Sequence, residues 1–326
     1  MDITIIIVNW NAAEMLKNCI SSICAHQEGL QLQIIVVDNA SADNSVPMLK
    51  ELFPEVTIIE AGGNIGFGRA NNLAFPYVQA PCVLFLNPDT LIVDDAIQRM
   101  AAFLATKPAV GAIGCKIIDR AGIVQELPIQ WRMTPWRKFC DLLFISGITL
   151  HYLTRFIPYH DPLQSGTVSY LYGACLMLKK EVLDQVGVFD ERFFMYCEDV
   201  DLCERIGRAG WLIQYLSDVQ ILHLVGGATQ GKGSAFGSFM MCESIAKYMR
   251  KYYGRLGQRL YTLAVLTTSS IRLSCLLLAK VLCLVTSADF NSFGERAIAK
   301  HINMVKWSLN MRGLRQETVN DKLTGR

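Results

Sequence analysis

Four short apolar runs constrain this chain most: residues 3–8, 34–37, 56–59 and 83–86, rich in Ile and Val. A strand with one wet face alternates apolar and polar residues. These runs are continuous, so each is expected to be a strand inside a sheet covered on both faces. Between them the spacing turns helical. Leu16, Cys19, Ile20 and Ile23 share one helical face. Residues 44–52 read as a helix and 66–77 as a helix opened by glycine. A further helix over 94–106 carries Ile97, Met100, Ala101 and Leu104 on one side. Strands alternating with helices over the first 110 residues or so predict an open α/β sheet, mostly parallel and flanked by helices. In such sheets ligands gather at the carboxyl ends of the strands. Asn9, Asp38 and Asp89 all stand at such ends.

Beyond this region the pattern changes. Residues 120–170 are rich in Trp, Phe, Leu, Pro and His and show no period; a stretch this long beside a site is usually functional. Order returns with a strand-like run over 170–178 and a short helix over 180–186. Residues 260–288 are the apolar candidate for a membrane span. Arg272 and Lys280 cut its longest uncharged run to 12 residues, short of the roughly 18–20 that a spanning helix needs. The two bases fall within about a quarter turn of each other. Two readings follow: an interfacial helix whose bases snorkel, or a core-packed helical hairpin.

The net charge of +2 hides an asymmetry, because residues 247–326 hold 14 Lys and Arg against 4 Asp and Glu, leaving −8 for residues 1–246. An acidic body with a basic, apolar tail is poorly suited to nucleic acid and suits an anionic membrane surface. The 11 cysteines show no C-x-x-C pair and no zinc spacing, and the chain starts on a strand without a basic leader. Reduced, cytoplasmic thiols are therefore expected.

The densest chemistry lies in Phe193-Phe194-Met195-Tyr196-Cys197-Glu198-Asp199-Val200-Asp201-Leu202-Cys203-Glu204. Leu202, Ile206 and Ala209 predict a helix beginning near Glu198. Acids in its first turn suit the helix dipole, which explains part of the cluster. An acid placed directly after bulky apolar residues can also have its pKa raised towards that of a general base. The run Gly62-Gly63-Asn64-Ile65-Gly66-Phe67-Gly68 matches neither common phosphate loop. It does not follow the first strand, and no G-K-[ST] follows it, which removes the dinucleotide fingerprint and with it an NAD-type oxidoreductase. Its glycines could still bring backbone N–H groups to a diphosphate. Asp89 reads as a turn or cap residue, or as an oxygen ligand for Mg²⁺ or Mn²⁺. His223, on an apolar strand, reads as a core histidine or as a metal ligand, with Gly226 and Gly227 leaving room for a phosphate.

Taken together and in order, Ile5-Ile6-Ile7-Val8-Asn9-Trp10-Asn11, Val36-Val37-Asp38-Asn39-Ala40-Ser41-Ala42-Asp43, Asn64 to Asn71, Leu86-Asn87-Pro88-Asp89, Gly173-Ala174-Cys175 and Glu198-Asp199-Val200-Asp201-Leu202 resemble the family 2 glycosyltransferases, most of all their rhamnosyltransferase branch. The likeness runs over residues 3–227. It implies a GT-A nucleotide-diphospho-sugar transferase fold over residues 1–235, with a nucleotide-binding half to about 115 and an acceptor half after it. A helical, membrane-associated extension is expected over 236–326.

By the same resemblance, Asn9, Asn11 and Asp38 contact the nucleotide, and Asn64, Gly66 and Asn71 line the sugar-nucleotide. Asn87 lies beside it, where the first acid of the D-x-D motif usually stands, and that departure leaves one fewer anionic ligand. Asp89 matches the motif's last acid and His223 a histidine that completes the metal site. Asp199 matches the catalytic base, with Glu198 orienting the acceptor. The implied reaction is inverting transfer of L-rhamnose from dTDP-rhamnose onto a glycan or polyprenyl-diphosphate-linked acceptor at the inner face of the cell membrane, with Mg²⁺ or Mn²⁺. A UDP-hexose donor, or a nucleotide-sugar-binding scaffold without activity, are the alternatives.

Overall fold

The computed structural model describes residues 1–27, 29–125, 132–143, 161–224, 235–286 and 292–309. Much of the unpatterned stretch 120–170, Gly226, Gly227 and residues 310–326 lie outside these. The chain divides into two compact units, Met1–Arg132 with Pro158–Thr229, and Met133–Ile157 with Gln230–Arg326.

The first unit is built on a nine-stranded sheet of order β3-β2-β1-β4-β8-β6-β9-β5, with β7 also on β9. All four apolar runs become its parallel strands: β1 (Ile3–Asn9), β2 (Leu32–Asp38), β3 (Thr57–Glu60) and β4 (Cys82–Leu86). Every residue of β1 is buried, which explains the lack of alternation. Ile5 and Ile7 face one core with Leu16, Ile20 and Ile23 of α1 (Ala13–Ala25). Helices α2 (Ser45–Leu52), α3 (Phe67–Ala74) and α4 (Ala96–Thr106) follow as the spacing predicts. α3 is shorter than expected, because Pro76 turns the chain into a single 3₁₀ turn, Phe75–Tyr77.

The other half of the sheet is mixed. β8 (Cys175–Lys179) runs antiparallel to both β4 and β6 (Val110–Ile118), and β9 (Leu212–His223) is parallel to β6. β5 (Thr90–Leu91) and β7 (Gly166–Thr167) add short antiparallel edges. The strand expected over 170–178 forms only from Cys175; before it the chain turns at Gly173 and Ala174, where the Gly173 N–H donates to Asp199 and the Ala174 carbonyl accepts from Asn87. Two helices complete this unit, α6 (Lys180–Val186) and α7 (Glu198–Arg208).

The second unit is helical. Its elements are α5 (Pro135–Leu143), α8 (Ala235–Thr286), which changes course at Gly254 (φ 67°, ψ −166°), and α9 (Ser292–Ser308). Both α5 and α9 pack on α8. Tyr253 Oη donates to the Met133 carbonyl at 2.9 Å, and Trp307 Nε1 donates to Glu243 at 3.1 Å.

Candidate active site

The carboxyl ends of β1 and β2 are tied together by side chains. Asn9, fully buried, donates its Nδ2 to Asp38 Oδ1 and to Ser41 Oγ, each at 3.0 Å. Its own Oδ1 has no hydrogen bond among the described residues, and a buried acceptor left open is costly unless something else meets it. Asp38 Oδ2 accepts the Ser41 N–H at 2.9 Å. Asn11 Oδ1 accepts the Ala42 N–H at 2.7 Å. A surface depression of about 350 Å³, lined by Asn11, Glu14, Asp43 and Met48 among others, meets this region through Asn11. None of Asp89, Asp199 and His223 lines it, so the strand ends rather than that depression gather the chemical groups.

Asn39, quoted in the motif but given no role, is the link from β2 to the glycine run. Its Oδ1 accepts the Ile65 N–H at 2.9 Å and its Nδ2 donates to Asn64 Oδ1 at 3.0 Å. Gly66 then takes φ 89°. A Cβ there would lie 2.4 Å from the Phe194 carbonyl oxygen, which already accepts the Phe67 N–H at 2.9 Å. The glycine run therefore abuts the aromatic run that precedes the acids. Asn72 straps the same two segments, donating to the Phe189 carbonyl and accepting its N–H. Asn71 is buried and donates to the Phe67 carbonyl at 3.0 Å, leaving its Oδ1 without a hydrogen bond among the described residues.

Among the described residues, four non-glycine residues have positive φ: Asn11, Ala40, Tyr196 and Cys197. Two lie at the ends of β1 and β2, and two immediately precede Glu198. Such conformations cost free energy and cluster where geometry is functional.

Asp89 and His223 meet at the far side of β4. Thr90 pairs with His223 across β5 and β9, and the Leu224 N–H donates to the Asp89 carbonyl at 2.7 Å. Both side chains are buried, with His223 Nε2 3.1 Å from Asp89 Oδ1. The two atoms are close, yet Nε2 has no aligned hydrogen bond among the described residues. His223 Nδ1 is held by Gln125 Oε1 at 2.8 Å, while Gln125 Nε2 donates to the His223 carbonyl at 2.9 Å. With Nδ1 as the N–H donor, Nε2 carries the lone pair that a metal takes. An oxygen and an imidazole nitrogen side by side, the nitrogen unsatisfied, fit a divalent cation. Among the described residues no group of three His, Cys, Asp or Glu forms a complete cage, so substrate phosphate and water would supply the other ligands. Gln125 → Ala should therefore weaken Mn²⁺ affinity about 10- to 100-fold, read by metal titration with donor present. Unchanged affinity would show that the glutamine has only a packing role.

The acids sit on the first turn of α7. Asp199 is half-buried, and its oxygens accept the Gly173 N–H at 2.9 Å and the Val200 N–H at 2.7 Å. The next residue, Ala174, accepts the Asn87 N–H at 3.0 Å through its carbonyl. One two-residue link thus connects the turn that carries Asp89 to Asp199. Glu198 is buried, and burial first and Asp199 second raise its pKa to about 8. Its Oε2 has no hydrogen bond among the described residues. For a carboxyl group raised in the folded state, stability is greatest while it stays protonated in both states. It declines as pH rises from the ordinary glutamate value towards about 8. Glu198 → Gln should flatten that decline, so its thermal midpoint should exceed the wild type's at pH 8 by more than at pH 5. An equal offset at both pH values would count against a protonated Glu198.

Asp201 and Glu204 serve the helix. Asp201 pairs with Arg205 at 2.9 Å, and Glu204 with Arg208 at 2.7 Å. Arg205 also donates to the carbonyls of Val186, Gly187 and Val188, which clamps α7 to the end of α6. No sequence signal distinguished Arg205 or Gln125 from other polar residues.

A parallel α/β half joined to a mixed half, with Asp89 and His223 brought together where β5 pairs with β9, is a GT-A-like nucleotide-sugar transferase fold. The family model described as glycosyl transferase family 2 matches residues 4–187, and the chain belongs to that family. An N-acetylglucosaminyl-diphospho-decaprenol L-rhamnosyltransferase of Mycobacterium tuberculosis is 29% identical over 220 residues, covering 59% of this chain and 66% of that protein. The rhamnosyltransferase WbbL of Escherichia coli is 28% identical over 229 residues, covering 67% of this chain and 82% of that protein. A solved structure of the mannosyltransferase PcManGT from Pyrobaculum calidifontis, in complex with GDP-Man and Mn²⁺, superposes with a TM-score of 0.58 at 16% identity, covering 95% of this chain and 87% of that one.

Proposed function

We propose that this chain is an inverting glycosyltransferase that moves L-rhamnose from dTDP-rhamnose onto a glycan or polyprenyl-diphosphate-linked acceptor. The carrying observation is the link from Asn87 through Ala174 and Gly173 to Asp199, which holds the buried Asp89–His223 pair and a carboxylate in one frame. The rhamnosyl donor is supported by the two relatives named above, one of which is named for a lipid-linked acceptor. Membrane contact at the inner face of the cell membrane, through the basic C-terminal region, belongs to the same reading.

In this mechanism the strand ends bind the nucleotide, with Asn9 Oδ1 as an open acceptor for a base or ribose donor and Asp38 fixing the turn that presents it. The Gly66 turn admits the chain of Phe194 and so shapes the wall of the sugar site. Asp89 and His223 would hold Mg²⁺ or Mn²⁺, whose charge supplies stabilisation of the departing diphosphate. Asp199 takes the proton from an acceptor hydroxyl as that oxygen bonds to the anomeric carbon. The carbon–oxygen bond to the diphosphate breaks in the same displacement, and its electron pair leaves with the nucleotide. A single displacement inverts the anomeric centre and uses no covalent enzyme intermediate.

The test is a transfer assay with dTDP-rhamnose and UDP-glucose on a polyprenyl-diphosphate N-acetylglucosamine acceptor, with the product anomer read by NMR. Transfer from dTDP-rhamnose with inversion is expected. Retention would remove Asp199 as the only proton acceptor in a single displacement, and transfer from UDP-glucose alone would replace the donor.

A further inference from the structure

The C-terminal part of α8 is apolar on its outward face as well as on its inner one. Its inner face buries Tyr261, Val265, Thr268 and Ser269. The two charges within the apolar segment also have partners inside this unit. Arg272 Nη2 donates to the Leu142 carbonyl of α5 at 2.7 Å, and Lys280 pairs with Glu295 of α9 at 2.6 Å. Outward stand Leu256, Leu260, Leu263, Ile271, Leu278 and Leu282, each between 49% and 68% exposed. Their spacings of three, four, seven and eight residues keep them on one side of a helix over roughly 39 Å of its length. Only the hydroxyls of Thr267 and Ser274 interrupt the row, and no charge does. The most apolar window of this helix has a mean hydropathy of 1.6 and is only 22% buried, unlike the core helix of a soluble protein. A contiguous apolar surface of this kind marks a contact site.

From this arrangement we infer that the outward row Leu256–Leu282 seats the helical unit in the interface of an anionic phospholipid bilayer, with α8 lying along the membrane rather than crossing it. The inference rests on the membrane contact of the proposed function and names its surface. Charge selects the occupant. Residues 247–326 carry a net +10, so a second copy would bring like charge against like charge, whereas an anionic lipid surface attracts it. Exposed Arg255 and Arg259 stand beside the first turns of the row, where headgroups would lie. The one-sided exposure favours lying over spanning, since a spanning helix would need its paired bases in hydrocarbon.

The experiment uses the full chain with vesicles of phosphatidylcholine alone and of phosphatidylcholine with phosphatidylglycerol, read by flotation. Analytical ultracentrifugation without lipid runs alongside. Wild type is expected to float at least tenfold more with the anionic vesicles, and less in 0.5 M salt. The double variant L278E/L282E should lose that flotation while keeping the wild-type melting temperature, because both positions are exposed. R255E/R259E should lose the preference for anionic lipid. Absent flotation, flotation that L278E/L282E leaves intact, or a lipid-free dimer that L278E/L282E dissolves would each overturn the inference. Donor binding measured on the same preparations separates the two claims. Donor binding without vesicle binding removes only the docking face, and vesicle binding without donor binding removes the transferase.

Discussion

Replacing Asp199 by asparagine is expected to lower transfer about 10²- to 10⁴-fold, the range for losing a general base, while donor binding persists. The substitution keeps shape but not hydrogen bonding. Both carboxylate oxygens accept backbone N–H groups, from Gly173 and Val200. An amide can offer only one oxygen, so its NH₂ must face one of those donors. A stability cost of about 1–3 kcal/mol is therefore expected as well. Calorimetric donor titration and a melting curve on the same protein separate the two effects. Loss of turnover with donor affinity within about threefold of wild type supports the base. Turnover that survives in folded protein would move the proton to another group.

The second large effect is expected at Gly66. An alanine there meets two penalties, a φ of 89° and a Cβ 2.4 Å from the Phe194 carbonyl oxygen. Together they should cost roughly 2–5 kcal/mol, a large part of the 5–15 kcal/mol typical of a folded protein. Relief can come only by moving Phe194, and Phe194 leads within five residues to Asp199. Gly66 → Ala should therefore lose activity more steeply than stability at a temperature where it remains folded. Gly63 → Ala is the control, since a Cβ there meets nothing within 4 Å. Equal behaviour of the two variants would show that the contact with Phe194 has no functional consequence.

How much was legible follows from what each element needs. β1 to β4 could be read directly because burial on both faces demands continuous apolar runs. β6 could not be read in the same way. It carries Gly111 and Gly114, where a Cβ would come within 2.9 Å of Trp211 and Leu171, so close packing replaces the β-branched signal. The turn at Gly173 and Ala174 was hidden inside an apolar run that reads as strand, because its purpose lies across the sheet at Asp199. The acids at the start of α7 were readable as suiting a helix N-terminus, but the pairing of Asp201 with Arg205 and of Glu204 with Arg208 came only from the structure. Asp89 and His223 are 134 residues apart in number and the β5–β9 pairing brings them together; their roles came from resemblance, and their adjacency from topology. Gln125 had no signal at all, since nothing in the unpatterned stretch announces a partner for His223.

The exposed apolar row on α8 shows a different limit. Sequence shows that residues 260–288 are apolar and interrupted by two bases. It does not show that those bases find partners on neighbouring helices, Arg272 at the Leu142 carbonyl and Lys280 at Glu295, because a period alone leaves the sense of an amphipathic helix open.

The most direct test of the central claim is calorimetric titration of the purified chain with dTDP-rhamnose, with and without Mn²⁺, in wild type and in Asp89 → Ala. Donor binding that Mn²⁺ strengthens at least tenfold in wild type and leaves unchanged in the variant is expected. Binding indifferent to Mn²⁺ would take the metal out of the Asp89–His223 pair. No binding of any sugar-nucleotide, with or without metal, would contradict the nucleotide-sugar site itself.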